Sequence, residues 1–304
     1  MQRQPTTAPL VGRLDRLSMG LVIFLVLFGW VNIFATVSPI DDTWAWSWSN
    51  EAGKQLGFIG LAGVLVLLVL LSDARLFEVL SWAVYALSIV LLLAVLAVGV
   101  ERGGNKSWLS LGSFGLQPSE FAKLGTALVL ARVLGRSPEG LKSWRSRWLP
   151  MAVVGLPMLL ILLQPDAGSA LVFASFLLVF YFAGLPGFYL FGALGIAALS
   201  VLSLALSPST VHWIIGGTVV LSLAITRIRT RLNFIRFVKH PALWLGLGAL
   251  LWSGAVQQVF DQVLKPHQQI RIKLLLGQVD DPSAAGYQTA QSLIAIGSGG
   301  LIGK

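Results

Sequence analysis

Two ionisable residues, Glu120 and Lys123, stand three positions apart at the start of an apolar run. This spacing places both side chains on one face of a helix. Ionisable groups at membrane depth are costly, and they usually face the interior of a helix bundle or a water-filled cavity. The pair is therefore a candidate functional site. A buried salt bridge, or side chains that reach back to water from a helix end, would explain the same residues.

A second group of ionisable candidates lies in the polar segment 259–290. Lys265, Arg271 and Lys273 precede the acidic residue Asp281. A carboxylate in such a segment could act as a general base, while the cations hold a phosphorylated substrate and stabilise its developing charge. A turn that begins at an Asp-Pro pair is the structural alternative for Asp281.

Two shorter segments add polar groups. Arg102 and Lys106 lie in the glycine-containing segment 101–117 and could hold a phosphate, although an ordinary amphipathic surface loop has the same composition. Asp166 follows the end of an apolar run and is predicted to cap the next helix. A carboxylate there could also face the same cavity as the helical ion pair.

Composition sets the class of protein. The chain of 304 residues is 56% hydrophobic and 12% charged, with a mean hydropathy of +0.79, whereas a soluble domain carries about 25% charge. We therefore predict an all-α, polytopic membrane protein. The absence of cysteine excludes disulfides and thiolate metal sites. No second histidine lies near His267 in the sequence to support it as a metal ligand, so no metal site is predicted.

Nine apolar runs are predicted to span the membrane, since about 20 apolar residues cross its hydrocarbon core. Arg3, Arg13 and Arg16 precede the first run, which is too long for a signal peptide and is predicted to remain as a span. The predicted spans are 17–37, 55–72, 76–99, 118–134, 149–163, 168–184, 188–206, 211–226 and 241–258.

The distribution of charge predicts the orientation of these spans. With the N-terminus in the cytoplasm, the inner segments hold 14 of the 22 basic residues and 4 of the 13 acidic residues, as the positive-inside rule requires. The basic runs 132–147 and 227–239 are thus expected to set topology and touch anionic lipid, and not to bind nucleic acid. Segments 38–54, 100–123, 164–168 and 259–290 fall on the outer face, where the candidate chemistry must occur.

Several motifs along the chain resemble those of one family. These are Trp108-Leu-Ser-Leu-Gly112, Gln117-Pro-Ser-Glu-Phe-Ala-Lys-Leu124, Gln164-Pro-Asp-Ala-Gly-Ser169, Lys265-Pro-His-Gln268, Asp281-Pro-Ser-Ala-Ala-Gly-Tyr-Gln288 and Gln291-Ser-Leu-Ile-Ala-Ile-Gly-Ser-Gly-Gly300. In this order they are very similar to the signatures of the SEDS proteins (shape, elongation, division and sporulation). Within that family the chain is most similar to the elongation members.

The resemblance implies a peptidoglycan glycosyltransferase of the bacterial plasma membrane. Such an enzyme polymerises lipid II on the outer face, together with a class B penicillin-binding protein and other elongation-complex membrane proteins. The resemblance implies that Asp281 is the essential outer acid and that Glu120 and Lys123 form the helix pair of the central cavity. The predicted substrate-binding residues are Arg102, Lys106, Gln117, Ser119, Asp166, Lys265, Arg271, Lys273 and Gln288. No cofactor is predicted, although a divalent cation such as Mg²⁺ could share the stabilisation of the pyrophosphate.

Some features depart from the family pattern. An extra transmembrane hairpin is predicted at 207–260 within a single membrane domain, 1–304. Family members continue through further helices after the Gly-Ser-Gly-Gly run, so the chain is expected to be C-terminally incomplete. Two alternative functions stay open: a lipid II flippase or other transporter, and a non-catalytic scaffold of the wall-synthesis complex.

Overall fold

The computed structural model describes residues 15–37, 50–102, 105–111, 114–137, 140–229, 240–264, 266–279 and 286–299. In these ranges the chain forms twelve helices and three short strands. The helices are α1 Arg16–Val37, α2 Glu51–Leu71, α3 Ala74–Val98, α4 Pro118–Gly135, α5 Trp144–Leu162, α6 Ala167–Ala174, α7 Phe176–Phe182, α8 Gly187–Ala205, α9 Pro208–Arg229, α10 Pro241–Gln262, α11 Pro266–Leu275 and α12 Tyr287–Gly299.

Seven of the described helices are long and apolar enough to cross a membrane: α1, α2, α3, α5, α8, α9 and α10. The prediction of an all-α, multi-pass membrane protein is therefore confirmed. The other two predicted spans also form helices. The first is α4, which carries three charged residues, and the second is divided into α6 and α7 at Ser175. The Ser175 hydroxyl donates to the carbonyl of Val172 at 2.7 Å, which competes with regular helical bonding.

The chain divides into two compact units, Met1–Tyr85 and Ala86–Lys304, with the boundary inside α3. In the first unit α1 packs against α2, and the Trp30 indole N–H donates to the carbonyl of Ala52 at 3.0 Å. Asn50 caps α2 by accepting from the amide of Gly53 at 2.7 Å. In the first turn of α2, Glu51 and Lys54 form an ion pair at 2.9 Å.

Asp15 caps the beginning of α1. Its carboxylate accepts from the Ser18 hydroxyl at 2.6 Å and from the Leu17 amide at 3.0 Å. These hydrogen bonds, chiefly that of Ser18, lower the pKa of Asp15 from its usual value, because they stabilise the charged form.

The second unit has an apolar core that helices α3 to α8 share. Its fully buried members include Leu92, Ala122, Leu130, Ile161 and Phe173. They come from α3, α4, α5 and α6, so the close packing of their side chains fixes the mutual placement of these helices. This core holds the two ends of α5 in place.

Near the start of α5, the Arg147 side chain bonds to the loop that connects α4 to α5. It donates to the carbonyls of Leu141 and Lys142 at 2.7 and 2.5 Å, and its guanidinium lies 5.8 Å from the centre of the Tyr189 ring. The Leu141 amide donates to the carbonyl of Ala183 at 2.8 Å. The α4–α5 connection and the α7–α8 turn therefore meet at this end, and the α5–α6 connection lies at the other.

The predicted hairpin at 207–260 contains α9 and α10, and both pack with α8. Gly246 allows a close approach of α10 to α9, because an added Cβ would clash with the Cγ2 of Val219. The Trp252 indole donates to the Ser200 hydroxyl at 2.9 Å, which joins α10 to α8. Whether this hairpin is an insertion relative to other members of the family stays a prediction.

Two polar segments have more regular structure than predicted. The segment predicted as a surface loop forms an antiparallel sheet of strands β1 Val100–Arg102, β2 Asn105–Leu111 and β3 Phe114–Leu116, with β2 in the centre. Within β2, Lys106 is exposed and Ser107 is buried, as the alternation of a strand requires. The segment predicted as a large outer loop, 259–290, contains the ten-residue helix α11.

Candidate active site

The start of α4 has the predicted local structure. Gln117 is extended, with φ −104° and ψ 103°, and Pro118 occupies the first turn, where its missing N–H has no helical partner to lose. Glu120 lies in the first turn, where a carboxylate is stabilised by the helix dipole. Ser119 is buried beside it.

Glu120 and Lys123 form an ion pair, with 2.7 Å between the Lys123 Nζ and the Glu120 Oε1. The alternative of a buried salt bridge is wrong for this structure, because the side chains remain 57% and 27% exposed, respectively. Their position at the end of α4 leaves the charged atoms accessible. The pair is thus available to a substrate, and its contribution to stability is that of a surface pair, about 0.5 kcal/mol.

The α5–α6 break (residues 163–166) lies against the start of α4. Asp166 is 6% exposed and caps α6, accepting from the Ser169 amide at 3.1 Å and from the Ser169 hydroxyl at 2.8 Å. Its Oδ2 also accepts from the Gln117 amide at 3.3 Å. The capping prediction for Asp166 is confirmed, and the same carboxylate also faces the start of α4.

Longer hydrogen bonds extend this contact between α4 and α6. The Ser119 hydroxyl donates to the Ser169 hydroxyl at 3.5 Å, and the Gln117 amide reaches the same atom at 3.5 Å. Because Gln117 and Ser119 flank Pro118 at the first turn of α4, this network fixes the helix end that carries Glu120. Ser169 was not among the predicted site residues.

Two further glutamines fix the α5–α6 break by hydrogen bonds, and neither was predicted as a site residue from the sequence. Gln164 is buried, and its amide donates to the carbonyl of Leu92 on α3 at 3.1 Å. The Gln268 amide on α11 donates to the carbonyl of Pro165 at 3.3 Å. Both residues stand in motifs that resemble the SEDS signatures, which was the available signal, but the sequence does not show which backbone carbonyl each side chain reaches.

The basic residues predicted to bind substrate lie on different elements and differ in their surroundings. Lys273 on α11 has its ammonium 5.7 Å from the centre of the Phe260 ring, a cation–π contact. Arg271 on the same helix and Lys106 on β2 are exposed. Among the described residues, Gln117 bonds to Asp166 directly and Ser119 is connected to Asp166 through Ser169, while Lys273 contacts an aromatic ring.

Several predicted site residues cannot be placed in this network. Asp281 and Lys265 lie outside the described residues, and for Arg102 and Gln288 the structure describes the backbone alone. As for metals, the described part of the chain contains no group of three His, Asp or Glu residues that could hold an ion.

The family is settled by comparison with known proteins. The family model FTSW_RODA_SPOVE, described as a cell cycle protein, matches residues 15–215 and 209–304. The chain belongs to this family. The resemblance to the SEDS proteins is thereby confirmed, and the similarity to elongation members is confirmed by the curated relatives and solved structures.

Among curated relatives, the peptidoglycan glycosyltransferase RodA of Treponema pallidum (strain Nichols) is 32% identical over 273 residues, which cover 84% of this chain and 63% of that protein. The peptidoglycan glycosyltransferase MrdB of Escherichia coli (strain K12) is 31% identical over 257 residues, which cover 83% of this chain and 53% of MrdB. This SEDS chain therefore spans between about half and two thirds of the length of these relatives.

Solved structures share the fold. The rod shape determining protein RodA of Thermus thermophilus is 34% identical with a TM-score of 0.50, over 60% of this chain and 57% of that one. A chain from a peptidoglycan synthase complex that coordinates polymerization and crosslinking is 29% identical with a TM-score of 0.54, over 93% of this chain and 65% of that one.

Proposed function

We propose that this SEDS protein is a peptidoglycan glycosyltransferase that polymerises lipid II into glycan strands on the outer face of the bacterial plasma membrane, for cell elongation and shape. The observation that carries the proposal is the meeting of the start of α4, the α5–α6 break and α11 at one place. Each of these elements bears a motif of the family. The curated relatives RodA and MrdB are named peptidoglycan glycosyltransferases, which supports the same activity here.

The reaction would be a single displacement at the anomeric carbon of the donor. The acceptor hydroxyl oxygen forms a bond to that carbon, the bond from the carbon to the pyrophosphate oxygen breaks, and the hydroxyl proton passes to a carboxylate. We assign the proton transfer to Asp281. A one-step displacement inverts the configuration at the anomeric carbon.

The described cations would act on the departing pyrophosphate. Lys123 is partly exposed and is held at 2.7 Å by Glu120, which restricts its conformations before substrate arrives, and Arg271 is exposed on α11. Such preorganised charges stabilise the transition state without further rearrangement. The described residues offer no cluster that fits a resident metal ion, and we assign no step to a divalent cation.

The proposed setting follows from charge and from the solved complex. The excess of basic residues in the predicted inner segments supports a cytoplasmic N-terminus. The similarity to a chain of a peptidoglycan synthase complex supports a class B penicillin-binding protein as partner, which would crosslink the new strand. Other elongation-complex membrane proteins are further proposed partners.

Labelled lipid II tests the function directly. The full-length gene product would be purified with its penicillin-binding partner and incubated with labelled lipid II, and the glycan products would be resolved by size. We expect ladders from the wild type, loss of ladders in Asp281→Asn, and ladders near the wild-type level in the matched control Asp261→Asn, whose carboxylate is exposed at the end of α10. Movement of lipid II across vesicles without ladders would favour the transporter, and neither movement nor ladders would favour the scaffold.

A further inference from the structure

Three successive residues of the α5–α6 break are each held by a different element. The side chain of Gln164 bonds to the backbone of α3, the carbonyl of Pro165 accepts from Gln268 on α11, and the carboxylate of Asp166 accepts from Gln117 before α4. These bonds join residues that are 72, 103 and 49 positions apart. Every one of them uses a glutamine amide as the donor.

The bond from Gln268 differs from the other contacts at the start of α11. The adjacent Gln269 donates to the carbonyls of Phe260 and Leu264 at 2.8 and 3.1 Å, which terminates α10 and bends the chain into α11. Those partners are near neighbours in sequence, so their bonds fix a local turn. The bond from Gln268 to Pro165 instead fixes where α11 lies relative to the start of α4.

The spacing along α11 relates this bond to the candidate chemistry. Arg271 follows Gln268 by three residues, so the two side chains lie on one side of the helix. Lys273 lies on another side and is held against the ring of Phe260. The side of α11 that faces the break is therefore also the side that carries the exposed guanidinium of Arg271.

We propose that Gln268 is a positioning residue that holds α11, and with it Arg271, beside the start of α4 for the transfer reaction. The proposal rests on the proposed glycosyltransferase function, because it concerns the geometry of that site. Misplacing a charged group by about 1 Å can lower a rate by about 100-fold. A hydrogen bond remote from the reacting atoms can therefore have a large effect on turnover.

The variants separate the hydrogen bond from the bulk of the side chain. Gln268→Glu keeps the shape but replaces the N–H donor by an acceptor, Gln268→Ala removes the group, and Gln268→Lys restores a donor of similar reach. Gln257→Ala is the matched control, because Gln257 on α10 also donates at 3.3 Å to a partly buried backbone carbonyl, that of Ser203. We expect the rate of ladder formation to fall about 10- to 100-fold in Gln268→Glu and Gln268→Ala, less in Gln268→Lys, and less than twofold in Gln257→Ala.

A distance measurement gives a readout that is independent of activity. The sequence of 304 residues contains no cysteine, so cysteines introduced at Leu163 and Leu275 can carry nitroxide labels without competition from another thiol in this sequence. Both side chains are well exposed, at 60% and 86%. In the full-length gene product in nanodiscs, we expect a narrow distribution of distances between the labels, which broadens in Gln268→Glu and stays narrow in Gln257→Ala.

The combined results decide the proposal. Broadening together with a slower rate, partly reversed in Gln268→Lys, supports it. A rate within twofold of wild type in Gln268→Glu overturns it, and so does a slower rate with an unchanged distance distribution. A wild type that makes no ladder would refute the proposed function instead, and the distance distribution would then decide whether Gln268 holds α11.

Discussion

The ion pair at the start of α4 is expected to matter far more for activity than for stability. The Lys123 Nζ and the Glu120 Oε1 are 2.7 Å apart, but the Glu120 and Lys123 side chains are 57% and 27% exposed, respectively. Glu120→Gln should therefore lower the free energy of unfolding by about 0.5 kcal/mol through loss of the ion pair and by up to about 1 kcal/mol through loss of the interaction with the helix dipole. Glu120→Gln removes the carboxylate that positions the Lys123 ammonium, and misplacing a charged group by about 1 Å can lower a rate by about 100-fold. We therefore expect a nearly intact protein with about 100-fold slower ladder formation.

The chain offers a closely matched control for this experiment. Glu51 and Lys54 form an ion pair with the same spacing in the first turn of α2, at 2.9 Å and with both side chains exposed. Initial rates at saturating labelled lipid II and unfolding in detergent would be compared for Glu120→Gln, Glu51→Gln and Lys123→Met.

The result that would refute the reasoning is a similar loss of activity in Glu120→Gln and Glu51→Gln. A loss of stability in Glu120→Gln large enough to explain the slower rate would refute it as well. If the Glu120–Lys123 pair acts as a unit, the double variant should lose about as much activity as either single variant.

Further predictions concern other parts of the molecule. Gly246→Val should destabilise the protein by about 1–3 kcal/mol, because it overpacks the close contact between α9 and α10; Gly248→Val, with open space around it, is the control in the same thermal unfolding assay. Arg147→Ala should cost about 1–3 kcal/mol, since two backbone carbonyls lose their donor; the exposed Arg145→Ala should have little effect on the melting temperature. The cap that Asp15 provides should be present above the usual pKa of an aspartate and be lost as the pH falls through its lowered pKa. The hydrogen-exchange protection factors of the first-turn amides of α1, measured relative to the intrinsic rate at each pH, should therefore fall at acid pH in the wild type but not in Asp15→Asn.

The apolar spans were the part of the fold that the sequence predicted best. The helix from Pro241 to Gln262, for example, agrees with a predicted span at 241–258. Hydropathy is decisive in such segments, because a helix satisfies its own backbone in lipid. The strand Asn105–Leu111 was missed, since its short alternating pattern is also that of an amphipathic loop.

The candidate site was predicted in its parts but not in its connections. Helical spacing was enough to pair Glu120 with Lys123, and capping preference was enough to place Asp166 before α6. The bonds of Gln164 and Gln268 to distant carbonyls were beyond prediction. A backbone carbonyl is present at every position, so the residue types do not indicate which carbonyl accepts the bond.

At the α5–α6 break, the side chains of Gln164 and Gln268 donate hydrogen bonds that backbone carbonyls accept. This difference between donors and acceptors determines which substitutions the protein tolerates. Leu92 and Pro165 contribute main-chain oxygens, which survive when the side chains are exchanged, whereas Gln164 and Gln268 contribute the amides. A saturation mutagenesis screen should find the two donor positions intolerant of residues that lack an N–H donor, even glutamate, and Leu92 permissive to other apolar residues. A pairwise covariation signal would then be weak across contacts that are nonetheless structurally important.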